Sequence, residues 1–397
     1  MAGITAAVEL AEAGRQVVLV EKEAYLGGNV VRMNNYFPKF CPPDCGLEIN
    51  YRRIRSNPGI KIMTRSTVEN VEGMPGDFRV TINKSPGYIN DYCTACGKCA
   101  DVCPVERIND FNYGFDKTRA AYLPHAMTFP FTYVIDGNAC LKEACGKCLE
   151  VCDYHAINLG AEPETIHLEI DRIIISTGWK NYDAGEIKNL CYEAPNVVTN
   201  VEFERLLDIG GPGRGTLYRP SDNKLPGKIA FVQCAGSRDD HYLPYCSAVC
   251  CSASLKHALT VSDRYPETGI TIFYIDIRVA GRNEDVLVKA QKSNNIMFIK
   301  GKVGRITEKA DSRNLEVEAE DILSGRKIRE EFEMVVLATG IVPNNPLIRC
   351  NRDPDGFLAM KQPEGIVAAA SCKRPMDVSA SVKDATSAAV QSIKRNN

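Results

Sequence analysis

Cysteine is the residue whose spacing carries chemistry in this chain. One run reads Cys93-x-x-Cys96-x-x-Cys99-x-x-x-Cys103-Pro104. Three thiolates at that pitch hold one [4Fe–4S] cubane, and the fourth, ahead of a proline, reaches a neighbouring cubane. A second run supplies the neighbour with Cys140, Cys145, Cys148 and Cys152; its first gap is two residues longer, and the rest is regular. Crossing the trailing cysteines predicts one cluster on Cys93, Cys96, Cys99 and Cys152, and another on Cys140, Cys145, Cys148 and Cys103. Structural zinc also takes four thiolates. Two matched runs with the trailing proline favour paired cubanes, which together make a wire.

A third set is Cys234-Ala235-Gly236-Ser237 with Cys246, Cys250 and Cys251. It falls where a dinucleotide fingerprint would join a strand to a helix, and no G-x-G-x-x-G stands there. The expectation is an atypical cluster in the place of a nicotinamide nucleotide; the plain alternative is a few buried thiols at a helix N-terminus. Cys191, Cys350 and Cys372 stand alone and read as small buried apolar residues.

The elements around these cysteines predict an α/β protein. Ala2–Gly14 is helix-prone and ends in a glycine suited to a C-cap; Gln16–Val20 reads as a buried strand closed by Glu21. Helix, turn, strand and terminal acid form the second half of a Rossmann-type unit, the acid being placed to bind a ribose hydroxyl. Gly3 would be the last glycine of a fingerprint whose strand and first two glycines lie before Met1, so a clipped or misassigned N-terminus is expected. Gly27, Gly28 and Asn29 after Glu21 and Lys22 would let backbone approach a flavin dinucleotide, with Thr177, Gly178 and Gly340 closing later strands. Cys41-Pro42-Pro43-Asp44-Cys45 then reads equally as a redox disulfide near that flavin, as ligands completed elsewhere, or as structural thiols.

Strands are expected over Ile60–Thr64 and Phe78–Ile82 around a turn at Glu72–Asp77, and again over Ile166–Ser176. A second unit starts with a strand at Lys228–Gln233, a helix at Cys246–Tyr265 and a strand at Ile270–Ile277. Val378–Ile393 reads as an amphipathic helix. The domains expected are the first part of an FAD-binding domain (1–90), an inserted ferredoxin-like 2[4Fe–4S] domain (91–160), the FAD domain continued (161–225), a second Rossmann-like domain (226–340) and the FAD domain's end (341–397).

Length and charge limit the alternatives. The chain has 397 residues, seventeen of them cysteine, and a formal net charge of -2. No basic surface for nucleic acid is implied, and the longest apolar runs, such as Met334–Val342, fall well short of the roughly 20 residues that span a bilayer. No signal-peptide pattern is visible. A disulfide framework suits short secreted chains, so a cytoplasmic protein with metal-bound thiolates is expected.

With these motifs in hand, the chain resembles the flavoprotein A subunits of heterodisulfide reductases and their relatives. The likeness runs over almost the whole chain, through LVEKEAYLGGN near the start, the inserted cysteine runs, NVVTNVEFERLL at Asn196–Leu207, and Cys234–Arg238 followed by Tyr245-Cys246 and Cys250-Cys251. It implies two thioredoxin reductase-like dinucleotide domains with a ferredoxin-like insertion, FAD, and an unusual [4Fe–4S] cluster on the last cysteine set. Within the family, Asn34–Asn50 most resembles the A subunits of quinone-interacting membrane-bound oxidoreductases of sulfate reducers. That resemblance implies as partners a larger homologous flavin and iron–sulfur subunit, a haem-bearing membrane subunit that meets quinone, and adenylylsulfate reductase. It also implies a position at the inner face of the cytoplasmic membrane, held through partner subunits. Relatives carry Gly-Asp near the C-terminus where Gly365–Cys372 reads GIVAAASC, so Ser371 or Cys372 stands for the acid, with Val382 on the following helix.

The expected function is electron relay between quinone-side subunits and a soluble redox partner in sulfate respiration. The rivals are a stand-alone NAD(P)H-dependent disulfide reductase using Cys41 and Cys45, and a cluster-bearing scaffold without flavin.

Overall fold

The computed structural model describes residues 1–37, 39–279 and 283–393. Helix α1 (Ala2–Glu12) buries Ile4, Ala7, Val8 and Ala11 along one stripe, the spacing that faces a core. Strand β1 (Val17–Val20) follows, then α2 (Pro43–Ser56), with proline in the first turn where no N–H is needed. Arg53 of α2 forks onto Glu12 of α1 at 2.8 and 2.7 Å. Strand β2 (Ile60–Met63) returns parallel to β1, from Val17 opposite Ile60 to Val20 opposite Met63.

β3 (Ser66–Met74) and β4 (Asp77–Lys84) make a hairpin. The turn expected over Glu72–Asp77 shrinks to Pro75-Gly76, because Gly73 and Gly76 adopt φ of 91° and 89° and the chain reverses within two residues. β5 (Glu164–Ile170) joins β4 with Glu164 opposite Lys84. The chain therefore leaves and re-enters this sheet at one register point, and everything between is an insertion. Its core is Tyr88, Ile89, Ala121, Ile135, Ala156 and Leu159, with cysteines packed around it.

The strand expected over Ile166–Ser176 breaks at Asp171-Arg172, and β6 (Ile173–Ile175) is separate. β7 (Trp179–Asn181) leads to β8 (Val197–Thr199) and α3 (Asn200–Leu207), which starts on a Thr199–Glu202 capping box. Then come β9 (Lys228–Ala235), α4 (Cys250–Arg264), β10 (Gly269–Tyr274), α5 (Glu284–Gln291) and β11 (Ile296–Lys300). An antiparallel trio, β12 (Val303–Glu308), β13 (Leu315–Asp321) and β14 (Arg326–Phe332), precedes β15 (Met334–Thr339). The second unit is a parallel sheet of order β8-β15-β9-β10-β11. Every residue of β15 is buried, as expected when both faces of a parallel sheet are covered. This sheet begins at Val197, so β8 and α3 of the 161–225 segment pack with the second unit.

The chain returns through β16 (Ile341–Pro343), antiparallel to β7, and β17 (Ile366–Ala368), parallel to β6. Helix α6 (Val378–Ile393) closes the first lobe. The pairs β1–β2 and β6–β17 are separate, and α1 packs across both. A Cβ on Gly3 would lie 2.7 Å from Ser176 Oγ just beyond β6 and 3.5 Å from Leu19 Cδ1 of β1.

Candidate functional site

The eight cysteines of the insert line two cavities. One is bordered by Cys93, Cys96, Cys99 and Cys152, the other by Cys103, Cys140, Cys145 and Cys148. Each takes three cysteines from one run and the trailing one from the other. The glycines Gly97 and Gly146, at φ 89° and 61°, lead the single helical turns Lys98–Asp101 and Lys147–Glu150 that carry Cys99 and Cys148. Backbone N–H groups point at sulfur: Ala95 to Cys93 at 3.4 Å, Lys142 to Cys140 at 3.3 Å and Ala156 to Cys152 at 3.3 Å. Such bonds stabilise negative charge on a cluster's sulfurs.

A bare tetrahedral zinc needs four sulfurs about 2.3 Å from one point. Among the described residues no three His, Cys, Asp or Glu converge that way; the thiols ring a space instead, which suits a cage. Burial, with Cys93 adding, pushes the Cys99 thiol up to about 12, and burial raises Cys148 too, Cys140 adding. Iron binding must displace the protons of these two thiols.

The insert is seated on the flavin lobe by residues that sequence reading missed. The guanidiniums of Arg32 and Arg205 lie 5.5 and 4.7 Å from the centre of the Phe111 ring, which also stacks on His125 at 4.9 Å. Burial, reinforced by Arg205 and Arg32, holds His125 down at about 4, so it packs as a neutral ring.

The third cysteine set gathers at the carboxyl end of the second sheet, where open α/β sheets bind ligands. Cys234 sits at the end of β9 with φ 57°, where the β9–β15 register shifts. Cys250 and Cys251 open α4, and the Cys250 thiol donates to Thr339 O at 3.5 Å. The helix expected from Cys246 starts four residues later: Ala248 takes φ 58° and Ser247 Oγ accepts from Ile341 N–H at 3.0 Å, leaving Cys246 in a loop. Burial pushes Cys234 up to about 11, with Cys251 and Cys246 adding and Arg238 opposing; Cys250 and Cys251 are raised by burial as well. The structure gives Gly340 to these loops, since its Cβ would meet Ser237 Oγ at 2.3 Å, Leu243 Cδ1 at 2.7 Å and Ser247 Oγ at 2.8 Å.

In the first lobe the loops after β1 and β6 come together. Gly28 and Gly178, at φ 60° and 69°, have open space where a Cβ would point. Asn29 Nδ2 donates to Trp179 O at 2.8 Å, joining the two loops. Thr177 Oγ1 donates to Asn344 O at 3.0 Å. Glu21 follows β1, its carboxyl raised by burial while accepting from Glu23 N–H at 3.0 Å. Lys22 is exposed, Val382 half-buried, and Ser371 buried with its hydroxyl 3.5 Å from Ser381 Oγ. Gly27 has φ 115°, and a Cβ there would lie 2.3 Å from Val31 Cγ1. Gly27→Ala should therefore yield a folded protein with flavin lost or bound at least tenfold more weakly, measured by flavin release on dialysis; full retention would show that this turn does not serve the flavin.

Cys41 is half-buried and Cys45 exposed in the first turn of α2, both as free thiols. They are not among the cysteines lining the two cavities.

Comparison with known proteins agrees with this geometry. Residues 86–106, which include the first cysteine run, match the 4Fe-4S binding domain, and residues 1–36 match the flavin containing amine oxidoreductases. The chain is 38% identical to the second of the iron-sulfur A subunits of CoB–CoM heterodisulfide reductase in Methanopyrus kandleri, over 98% of its own length and 62% of that protein. With the corresponding A subunit of Methanocaldococcus jannaschii the identity is 36% over the same shares. The chain is similar to the A subunits of heterodisulfide reductases over nearly its whole length. It spans about three fifths of the length of those relatives, 62% in each case. FAD and [4Fe–4S] clusters are the cofactors of this chain. The thioredoxin reductase of T. acidophilum shares its fold, with a TM-score of 0.54 at 14% identity over 98% of this chain and 94% of that one. That of Lactococcus lactis gives 0.53 at 14% identity over the same shares.

Proposed function

We propose that this chain is the flavin and iron–sulfur electron-transfer subunit of a heterodisulfide reductase-like complex, of the quinone-interacting kind used in sulfate respiration. The observation that carries the reading is the pair of cavities in the insert, each lined by four cysteines, together with a third cysteine set at the carboxyl end of the second sheet, where a nucleotide fingerprint is absent. The ligand sets are Cys93, Cys96, Cys99 and Cys152; Cys140, Cys145, Cys148 and Cys103; and Cys234, Cys246, Cys250 and Cys251.

When bound, flavin supplies paired-electron and the clusters single-electron exchange. The chain's own residues position these groups. Gly28, Asn29 and Gly178 shape a dinucleotide cradle, Glu21 takes the ribose, and the N–H groups of Ala95, Lys142 and Ala156 stabilise charge on sulfur. Phe111 fixes the insert against Arg32 of the flavin lobe and Arg205 of the second unit.

The resemblance of Asn34–Asn50 to the A subunits of quinone-interacting oxidoreductases supports three partners. They are adenylylsulfate reductase, a haem-bearing membrane subunit, and a larger homologous flavin and iron–sulfur subunit. Work at the inner face of the cytoplasmic membrane would then depend on those partners, since no helix among the described residues is long and apolar enough to cross a membrane.

On the complex purified without oxygen, about twelve irons, matching acid-labile sulfide and one FAD per chain are expected. About eight irons would confine clusters to the insert, and zinc without sulfide, or no flavin, overturns the relay. Rapid flavin bleaching by NADPH would revive a stand-alone disulfide reductase.

A further inference from the structure

Past the end of β10 stands Asp276. In a dinucleotide-binding unit, an acid beyond the second strand takes the ribose hydroxyl. Asp276 is engaged otherwise. Arg238, from the loop after β9, donates to its Oδ1, and Arg278 Nε donates to its Oδ2 at 3.0 Å.

This Arg–Asp–Arg group abuts the third cysteine set. Arg238 lies four residues after Cys234 in a loop where Cys234, Gly236 and Arg238 take φ of 57°, 77° and 57°. That curl puts the Arg238 N–H 3.1 Å from Tyr245 O, beside Cys246. On the other side, the carbonyl of Asp276 accepts from the Cys251 thiol at 3.9 Å. Two guanidiniums and one carboxylate leave one net positive charge against the sulfurs. Arg238 is only 24% exposed at its side chain, so solvent screens it incompletely.

We propose that Arg238, clamped by Asp276 with Arg278, is a positioning residue that sets the reduction potential of the group held by Cys234, Cys246, Cys250 and Cys251, and that it closes the corner where a nucleotide ribose would sit. This rests on the reading that those four cysteines hold a cluster. A cluster gains negative charge on reduction, and a fixed positive charge beside its sulfurs stabilises the reduced form. The acid once suited to a ribose now serves as the anchor for that charge.

Redox titration of the anaerobic complex, followed by electron paramagnetic resonance, tests it. Cys246→Ser identifies the relevant signal as the one that disappears while iron falls by about four per chain. In Arg238→Gln that signal should titrate at a more negative potential. The expected size is about a tenfold change in the reduced-to-oxidised ratio, about 59 mV for a one-electron couple. Iron and the other signals should stay unchanged. Asp276→Asn, which leaves the cap more positive, should move the same signal the opposite way, and Arg238→Lys should sit near the parent. If Arg238→Gln does not fold, the more exposed Arg278→Gln should show the negative shift at smaller size. An unmoved signal at full iron content, or a shift of the same sign in Arg238→Gln and Asp276→Asn, overturns the proposal. Cys246→Ser with iron and every signal intact sinks the cluster reading of the site itself, and the cap's role with it.

Discussion

Cys103→Ser is expected to remove the cluster of the other cysteine run, lowering iron by about four per chain. Cys103 borders the cavity of Cys140, Cys145 and Cys148, not that of its sequence neighbours Cys93, Cys96 and Cys99. A serine hydroxyl is a harder and poorer ligand for iron than a thiolate, and three thiolates do not hold a cubane as well as four. With each signal assigned to its run by Cys96→Ser and Cys145→Ser, Cys103→Ser should abolish the resonance that Cys145→Ser abolishes, and Cys152→Ser the one that Cys96→Ser abolishes. Electron flow from flavin to the partner of the complex should fall to background in Cys103→Ser and Cys152→Ser alike, because each breaks the wire. Were pairing within each run, Cys103→Ser would abolish the signal of its own run and Cys152→Ser that of its own; that result would refute the crossed ligand sets.

That four cysteines would line each of two cavities in the insert was legible because cysteine spacing fixes reach: two residues between thiols is one turn's width, and a proline ends the run. Helix α6 was legible over Val378–Ile393 because apolar residues recur there at helical spacing. The membership of β8 was not. Val197–Thr199 is a short β-branched run that fits either sheet, and only its pairing with Val335–Leu337 assigns it. Nor was the start of α4, since helical spacing carries through Cys246 while the left-handed backbone at Ala248 comes from tertiary contact with Ile341. Charged residues in helices default to a solvated face, which hid Glu204, Lys256 and His257. A signal did exist. Glu204 follows Phe203, and Lys256 and His257 lie between Leu255 and Ala258, all of them buried.

That buried group carries the other large effect. Glu204, Lys256 and His257 are 6%, 3% and 1% exposed. The carboxylate accepts from Lys256 Nζ, from His257 Nε2 at 2.7 Å and from the Asn34 N–H at 3.1 Å, while Lys256 Nζ also reaches Asn35 O at 2.5 Å. Helices α3 and α4 of the second unit are thereby pinned to the Asn34–Asn35 segment of the first lobe, and Phe37 enters the same core. Glu204→Gln should destabilise the chain by about 3–5 kcal/mol, because an ammonium is left buried without its counter-charge. Pairing it with Lys256→Met should recover much of that loss, since no unpaired charge remains.

The pH dependence has a definite sign. Burial pushes the Glu204 carboxyl up, but Lys256 and His257 pull it further down, to about 2. Its stabilisation is complete above the ordinary value of 4.5 and is lost as pH falls toward 2. His257 is held below its ordinary 6.5 by burial, so below that pH the unfolded chain takes up a proton that the folded one refuses. Both terms weaken the fold on acidification, beginning near pH 6.5 and steepening below 4.5. Denaturant unfolding of the anaerobic protein across that range should show the loss in the parent and a flatter profile in the Glu204→Gln/Lys256→Met double variant. Equal midpoints for parent and Glu204→Gln, with the same acid profile, would mean that the two lobes are held together by their apolar contacts alone.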